Sequence, residues 1–402
     1  MKGSASTWLG PRARSYVVVA ATQGSDGLIS FAFPPFLSSL EVPLDLIGLL
    51  VACGGLAALA SRLPAGVLYR GSRARGLLMV ACTTAAATTF LLPHLEAPLA
   101  FAVLRLIGGF AYGVATTANL ARFIDALPPG GDRARAMGFY SAALALGLVF
   151  GNGIGGFAGQ YLGYLPAFQC AAAAYLLAAL TAATLPHPPP RATTATAKTV
   201  SAGPRGWRRL TVLSDPGMLT VTLAAFLAAF MQQISGSFLP LYGLSVGLAL
   251  SEVASVRMTT ALTNVFARAG GGPLTERIGR RRTQHVFISL QAIGLFSLSF
   301  CTTFWTLLVA MLWVATCRAI VLVANTISLT EDVDEERVSR GVASGLFNAA
   351  TDLGNLASPA LGGVVGAAFG LTNIFRVLPP FVLALYFVIT FGRAYVTGRR
   401  GV

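Results

Sequence analysis

Four ionisable residues stand in stretches of this chain that are otherwise apolar: Asp26, Arg105, Arg318 and Asp352. At bilayer depth each such charge costs about 2.5–3.5 kcal/mol even on a lenient insertion scale, so its presence asks for a function. Desolvation favours a neutral acid, and a carboxylate at this depth can take up and release protons unless a cation holds it ionised. Asp26 and Asp352 are therefore the candidates for proton coupling, and Arg105 and Arg318 for holding a charged group of a solute. Asp26 has two readings, a proton carrier or a structural hydrogen-bonding group beside Gln23 and Ser25. Arg318 and Asp352 fall at similar depth in neighbouring runs of opposite direction, as a fixed ion pair or a switchable one. Arg105 has no partner at its own level, so an anionic or zwitterionic solute group is its candidate, with Asp26 as the rival. Tyr112, Gln232, Gln233, Asn264 and Asn325 add donors and acceptors for a solute, as do Asn348 and Asn355. A buried amide serves equally as glue between helices.

The elements that position these groups follow from composition. The chain has 402 residues, 55% hydrophobic and 11% charged, with a mean hydropathy of +0.70, which excludes an ordinary soluble globular protein. About 20 apolar residues span a bilayer. Twelve such runs begin near Ser15, Leu46, Gly76, Leu99, Ala136, Tyr164, Gly217, Val253, His285, Trp305, Gly341 and Val377. The net charge of +14 would point to nucleic acid in a soluble protein, but its distribution excludes that here. Arg70, Arg73 and Arg75 follow the second run, Arg122, Arg133 and Arg135 the fourth, and Arg277 with Arg280 to Arg282 the eighth, whereas intervening loops such as Leu40 to Asp45 and Pro93 to Pro98 carry none. This alternation predicts a multi-pass protein of the cytoplasmic membrane with both termini in the cytoplasm.

The two halves repeat. Gly66 and Gly272 differ by 206 positions (272 − 66), as do Asn119 and Asn325 and the acidic pair Asp125 and Glu331. Gly138, Gly147, Gly155, Gly156 and Gly159 fall on Gly345, Gly354, Gly362, Gly363 and Gly366 at an offset of 207. A membrane chain built of two copies of one unit points to alternating access around a site between them. The buried charges do not repeat: Asp26 falls opposite Gln232, Arg105 opposite Met311, Tyr112 opposite Arg318 and Ala145 opposite Asp352. Such asymmetry suits a solute site, because a shared scaffold would keep its residues in both copies.

The stretch Gly272-Pro273-Leu274-Thr275-Glu276-Arg277-Ile278-Gly279-Arg280-Arg281 turns on glycine and sets a carboxylate among arginines at a helix end. It resembles the loop signature Gly-x-Leu-x-Asp-Arg-x-Gly-Arg-Arg of the major facilitator superfamily. The first-half copy departs from it, with Arg70 in the acidic place and Arg73 in the second glycine place. The resemblance implies a cytoplasmic latch, here intact in the second half as Glu276 with Arg277, Arg280 and Arg281. Asp125 and Glu331 are the expected partners of Arg75 and Arg280. The run Gly147-Leu148-Val149-Phe150-Gly151-Asn152-Gly153-Ile154-Gly155-Gly156 is similar to the Gly-x-x-x-Gly-Pro-x-x-Gly-Gly signature of proton-coupled exporters, with Asn152 in place of its proline; the second half keeps a proline at Pro359. These glycines are read as a surface for close approach of the two halves or as ordinary small-residue packing. In the family an arginine followed by glycines on the fourth span recurs, here Arg105-Leu106-Ile107-Gly108-Gly109.

The resemblance implies an all-α membrane protein of the major facilitator fold, with twelve transmembrane helices in two pseudo-symmetric six-helix bundles. The bundles are residues 1–186 and 216–402, joined by a cytoplasmic linker at 187–215 that carries Pro188-Pro189-Pro190. The third, sixth, ninth and twelfth spans, free of charge in their interiors, are expected to face lipid. The paired prolines Pro34 and Pro35, with Pro240, are expected to bend the outer ends of the first and seventh spans. Cys53, Cys82, Cys170, Cys301 and Cys317 read as small buried hydrophobes, and His94, His187 and His285 fall in or beside loops. No phosphate-binding glycine loop, metal-ligand spacing or nucleophile and base constellation is present, so neither an enzyme nor a cofactor is expected. The expected function is secondary active transport, exporting a small amphipathic compound or metabolite in exchange for protons, by a monomer. Uptake of a small nutrient or siderophore-like solute is the alternative, and a non-transporting sensor or scaffold is the rival from another class.

Overall fold

A computed structural model describes residues 10–127, 132–186, 216–331 and 340–398. The linker expected at 187–215 lies outside the described residues. Among those residues the chain is helical, as α1 (Pro11–Ser39), α2 (Leu44–Leu68), α3 (Ala74–Leu91), α4 (Pro98–Asp125), α5 (Asp132–Tyr161), α6 (Tyr164–Ala183), α7 (Pro216–Ser245), α8 (Leu250–Ile278), α9 (Arg280–Ser297), α10 (Phe304–Glu331), α11 (Arg340–Phe369) and α12 (Leu371–Gly398). Prolines open α1, α4 and α7, where the missing N–H is not needed. Pro34, Pro35 and Pro240 stand inside α1 and α7, which continue past them.

Among the described residues, eight helices are long and apolar enough to cross a membrane: α2, α3, α4, α5, α6, α7, α10 and α12. The other four are α1, α8, α9 and α11, with 29, 29, 18 and 30 residues. They fall short by polarity and not by length. Gln23 and Asp26 lie on α1, Arg257, Asn264 and Arg268 on α8, Gln284, His285 and Gln291 on α9, and Asn348, Asp352 and Asn355 on α11. An expectation for the ninth helix is corrected here. Helix α9 begins at Arg280, which puts His285 in its second turn and not beside a loop. Helix α12 likewise starts at Leu371, so Arg376 is within it.

Two compact units are present. Among the described residues the first holds 10–42, 53–127, 132–186 and 249–258, so it includes the first turns of α8; the second holds 43–52, 216–248, 259–331 and 340–398, so it includes the first turns of α2.

In the first unit α5 lies against α1 along one row of glycines. Gly147 abuts Ala20, Gly151 abuts Gly24, and a Cβ on Gly155 would stand 3.1 Å from the Leu28 carbonyl oxygen. Spacing by four places all three on one face. This row serves packing inside one unit, while Gly153 and Gly156 turn toward Met258 and Ala254 at the start of α8. In the second unit Gly354 meets the Phe226 carbonyl on α7, Gly362 meets the Phe238 ring, and Gly363 and Pro359 meet Gly48 on α2.

The duplication read in the sequence is thus written in the packing. Gly156 against Ala254 and Gly363 against Gly48 are the same contact twice, since 156 + 207 = 363 and 48 + 206 = 254. The turns repeat as well. Gly163 and Gly370, 207 apart, both have left-handed backbone, with φ of 90° and 89°. Glu41 and Gly247, 206 apart, have φ of 59° and 86°. Val42 N–H bonds the Leu37 carbonyl at 3.1 Å, and Leu248 N–H bonds the Gly243 carbonyl at 2.9 Å.

The loop signature is corrected in one respect. Helix α8 runs on through Gly272 to Ile278, and the turn is made at Gly279, where φ is 89°. Gly66 likewise lies within α2. At the place of Gly279 the first half has Arg73 with φ of −98°. A side chain disfavours the left-handed turn, so this link takes another shape, with Arg73 N–H bonding the Arg70 carbonyl at 2.8 Å.

Candidate functional site

Asp26 is the sixteenth residue of the 29 in α1 (26 − 11 + 1) and half-buried. Its neighbours are held by bonds that bypass it. Ser25 Oγ donates to the Ala171 carbonyl on α6 at 2.9 Å and to its own helix at the Ala21 carbonyl at 3.0 Å. Gln23 Oε1 accepts from the Tyr112 hydroxyl of α4 at 3.1 Å. These two ties fix the rotation of α1, and the Asp26 carboxylate accepts no hydrogen bond among the described residues. Its electrostatic neighbour is Arg105, with Tyr112 and Tyr175 also in its field.

Arg105 is placed by glycine. Its guanidinium lies over Gly54 of α2, where a Cβ would stand 2.7 Å from Cζ, and 5.0 Å from the centre of the Phe33 ring. A cation over an aromatic face is worth up to about 2 kcal/mol where water is excluded. Gly109 abuts Gly54, and a Cβ on Gly108 would stand 2.8 Å from Thr88 Oγ1, so the glycines after the arginine seat α4 against α2 and α3. Arg105 Nε is buried without a hydrogen-bond partner. Asp26, Arg105, Tyr112 and Gln23 thus converge in the first unit. The arginine keeps donor capacity that no described group uses.

The sequence reading missed Arg257, in the third turn of α8 and in the same unit. It is half-buried, with Nε buried and unpartnered. The available signal was the positive-inside rule, because an arginine in the outer half of a span is out of place.

In the second unit Arg318 and Asp352 are half-buried on α10 and α11, and neither is without an interaction. Gln232 is half-buried, and Gln233 Nε2 donates to Ser237 Oγ at 3.3 Å. Two amides are committed to neighbouring helices. Asn264 donates to the Ala315 carbonyl of α10 at 3.3 Å and accepts from Arg268 at 3.0 Å. Asn325 Oδ1 accepts from Gln284 of α9 at 2.9 Å. Its repeat mate Asn119 bonds the Tyr140 hydroxyl at 3.3 Å. Among the histidines, His285 Nδ1 is 2.8 Å from the Tyr386 hydroxyl of α12. The thiols also differ from the expectation of uniform burial, since Cys170 is exposed.

At the arginine-rich ends of the helices Asp125 accepts from the Tyr69 hydroxyl at 2.8 Å. Burial first, and this bond second, raise the Tyr69 phenol above the ordinary tyrosine range. Arg122 is fully buried and donates to the Pro186 carbonyl at 2.6 Å and to Ser15 Oγ at 3.3 Å. Arg14 donates to the Thr184 carbonyl. Two cations therefore cover carbonyls at the end of α6, where the helix dipole is negative. Glu276, Arg277 and Arg281 are exposed, and Glu276 has no ion pair among the described residues; Arg280 is half-buried and engaged. Glu331 ends α10, and its side chain lies outside the described residues.

Long apolar helices that hold a carboxylate, arginines, a tyrosine and amides in their interiors define a multi-pass membrane transporter. The chain belongs to the Major Facilitator Superfamily, whose sequence profile matches residues 16–339 and again 221–400. It is a secondary transporter of that superfamily. An uncharacterized MFS-type transporter of Methanocaldococcus jannaschii is 21% identical over 342 residues, covering 82% of this chain and 84% of the relative. Among solved structures, the nucleoside transporter NupG superposes with a TM-score of 0.78 at 17% identity, over 95% of this chain and 99% of that one. A bacterial homologue of the human lysosomal transporter Spinster, in an inward-facing and unoccupied conformation, gives 0.76 at 18% identity, over 97% and 96%. A D-xylose–proton symporter gives 0.69 at 15% identity, over 92% and 95%. At these identities the structures define the fold alone.

Proposed function

We propose that this protein couples the movement of a small solute bearing an anionic group to protons, with Asp26 as the proton carrier and Arg105 as the group that meets the solute. The observation that carries the proposal is their electrostatic proximity: a carboxylate that accepts no hydrogen bond among the described residues lies in the field of Arg105, a half-buried arginine whose Nε is buried and unpartnered. Ionised Asp26 offsets the charge of Arg105, and a proton on Asp26 releases that charge for an anion. Proton and solute then favour each other's binding, so both move in the same direction, and an inward proton gradient drives uptake. The neighbour described as a D-xylose–proton symporter supports coupling of this kind in the fold.

Export in exchange for protons is the second reading, favoured by the glycine spacing of α5. A cationic or neutral solute would compete with the proton at Asp26. Two features of α5 weaken this reading: Gly147, Gly151 and Gly155 are occupied by α1, and Asn152 Nδ2 bonds its own helix at the Leu148 carbonyl at 2.9 Å where the exporter signature has a proline.

Proteoliposome assays separate the roles. Asp26→Asn should keep solute exchange at equilibrium and lose accumulation under an imposed pH gradient, whereas Arg105→Gln should lose both. Gradient-driven accumulation by Asp26→Asn at the wild-type level would overturn the assignment.

A further inference from the structure

The link between α2 and α3 is the place where the family's loop signature is replaced by arginines, and an apolar groove opens beside it. The groove has a volume of about 480 Å³, is lined by Leu68 of α2, Leu77, Val80 and Thr84 of α3 and Leu106 and Phe110 of α4 among others, and is almost without polar surface. Leu68 and Val80 are 63% and 65% exposed, so it opens outward from the unit. Along α4 its lining runs from Leu106 to Val114, eight residues or about 12 Å. That is close to the depth of one leaflet, half of a hydrocarbon core of roughly 30 Å.

Arg70 and Arg73 are exposed and Arg75 is half-buried in the six residues that follow Tyr69 and open α3. Among the described residues none of the three guanidinium groups has a hydrogen-bonding or ionic partner, and Asp125 at this end already accepts from Tyr69. Leu68 and Leu77, which line one end of the groove, flank this cluster in sequence. Arg70 thus follows the lining residue Leu68 by two positions and Arg75 precedes Leu77 by two, with Arg73 between them, so the link that joins two walls of an apolar slot about one leaflet deep carries three cations. In the second half Glu276 stands where the first has Arg70.

We infer that this is a binding site for an anionic phospholipid, with one acyl chain in the groove and the headgroup phosphate held by Arg70, Arg73 and Arg75. Basic residues at a membrane surface attract anionic lipid, and a guanidinium grips phosphate through paired donors. The groove adds selectivity for a chain over a free anion. A soluble phosphate compound would gain nothing from it.

Native mass spectrometry of the full chain released from nanodiscs tests the site, with phosphatidylglycerol as the probe and phosphatidylcholine as the control. Wild type should retain a phosphatidylglycerol in preference to phosphatidylcholine. Each of Arg70→Gln, Arg73→Gln and Arg75→Gln should lower that preference about fivefold. Val80→Trp with Leu106→Trp, which fills the groove at two exposed positions, should reduce retention of both lipids. Arg281→Gln with Arg282→Gln, in the second half, should leave retention unchanged. Gel filtration reports folding of each variant. Equal retention of the two lipids by wild type, or a triple arginine variant that keeps the preference, would overturn the site, as would a filled groove that still retains phosphatidylglycerol.

Discussion

Replacing Gly151 with alanine should open the seam between α1 and α5, and two other glycines of the same helix supply the scale. A methyl carbon on Gly151 would meet the Gly24 carbonyl oxygen and stand 2.8 Å from its carbonyl carbon, where ordinary contact begins at 3.4 Å. The helices must therefore separate by about 0.6 Å (3.4 − 2.8) at the least. Both sides of this contact are helical backbone, which cannot swing away as a side chain can. Overpacking of this kind costs about 1–3 kcal/mol. At Gly155 the nearest atom would be 3.1 Å away, a deficit of a few tenths of an ångström, and at Gly138 nothing lies within 4 Å. Alanine also favours the helix over glycine by about 1 kcal/mol. Gly138→Ala should thus be neutral or stabilised, Gly155→Ala near wild type, and Gly151→Ala clearly destabilised. Thermal unfolding in detergent, followed by a dye that reacts with the buried thiols of Cys82 and Cys301 as they open, reads the order directly. Gly151→Ala melting level with Gly138→Ala would refute the reasoning.

Three further outcomes are expected. Gly54→Ala places a methyl carbon against the flexible end of Arg105 and not against backbone; solute affinity should fall at least about tenfold in a binding assay, with thermal stability close to wild type. Arg122→Ala removes the bonds to Pro186 and Ser15 and should cost about 1.5–3 kcal/mol in detergent unfolding. Tyr69 binds its phenolic proton more tightly when folded than when unfolded. Its contribution to stability is present below the unfolded value, near pH 10, and is lost as pH rises beyond it. Tyr69→Phe should therefore flatten the alkaline limb of the stability profile, and an unchanged slope would count against a buried phenol.

The repeat offsets were readable because duplication preserves spacing, and they led to the paired turns at Glu41 and Gly247 and the paired contacts of Gly156 and Gly363. Asp26 and Arg105 were each readable from cost, since neither belongs in an apolar run without a reason, whereas their nearness to each other was only one of two readings of Arg105. Partners were harder to read. One glycine row looks alike whether it faces its own unit or another, and only coordinates assign Gly151 to Gly24. Asn264 and Asn325 show the same limit, because an amide's type says nothing of its direction, and both bond neighbouring helices. Gly272 and Gly279 are both candidates for a turn; positive φ singles out Gly279 because α8 continues through Gly272 and Pro273. Arg257 escaped because the span was started at Val253, three residues after α8 begins.

The central claim, that Asp26 carries a proton together with an anionic solute, is tested by the sign of one pH change. Proteoliposomes containing a pH-reporting dye receive an inward gradient of test solutes, from small carboxylates and phosphorylated sugars to lipophilic cations. Orientation of the protein does not affect the sign. Acidification of the lumen by an anionic solute, abolished in Asp26→Asn, is the predicted result. Alkalinisation of the lumen would establish exchange instead, and acidification that persists in Asp26→Asn would contradict the role given to that residue.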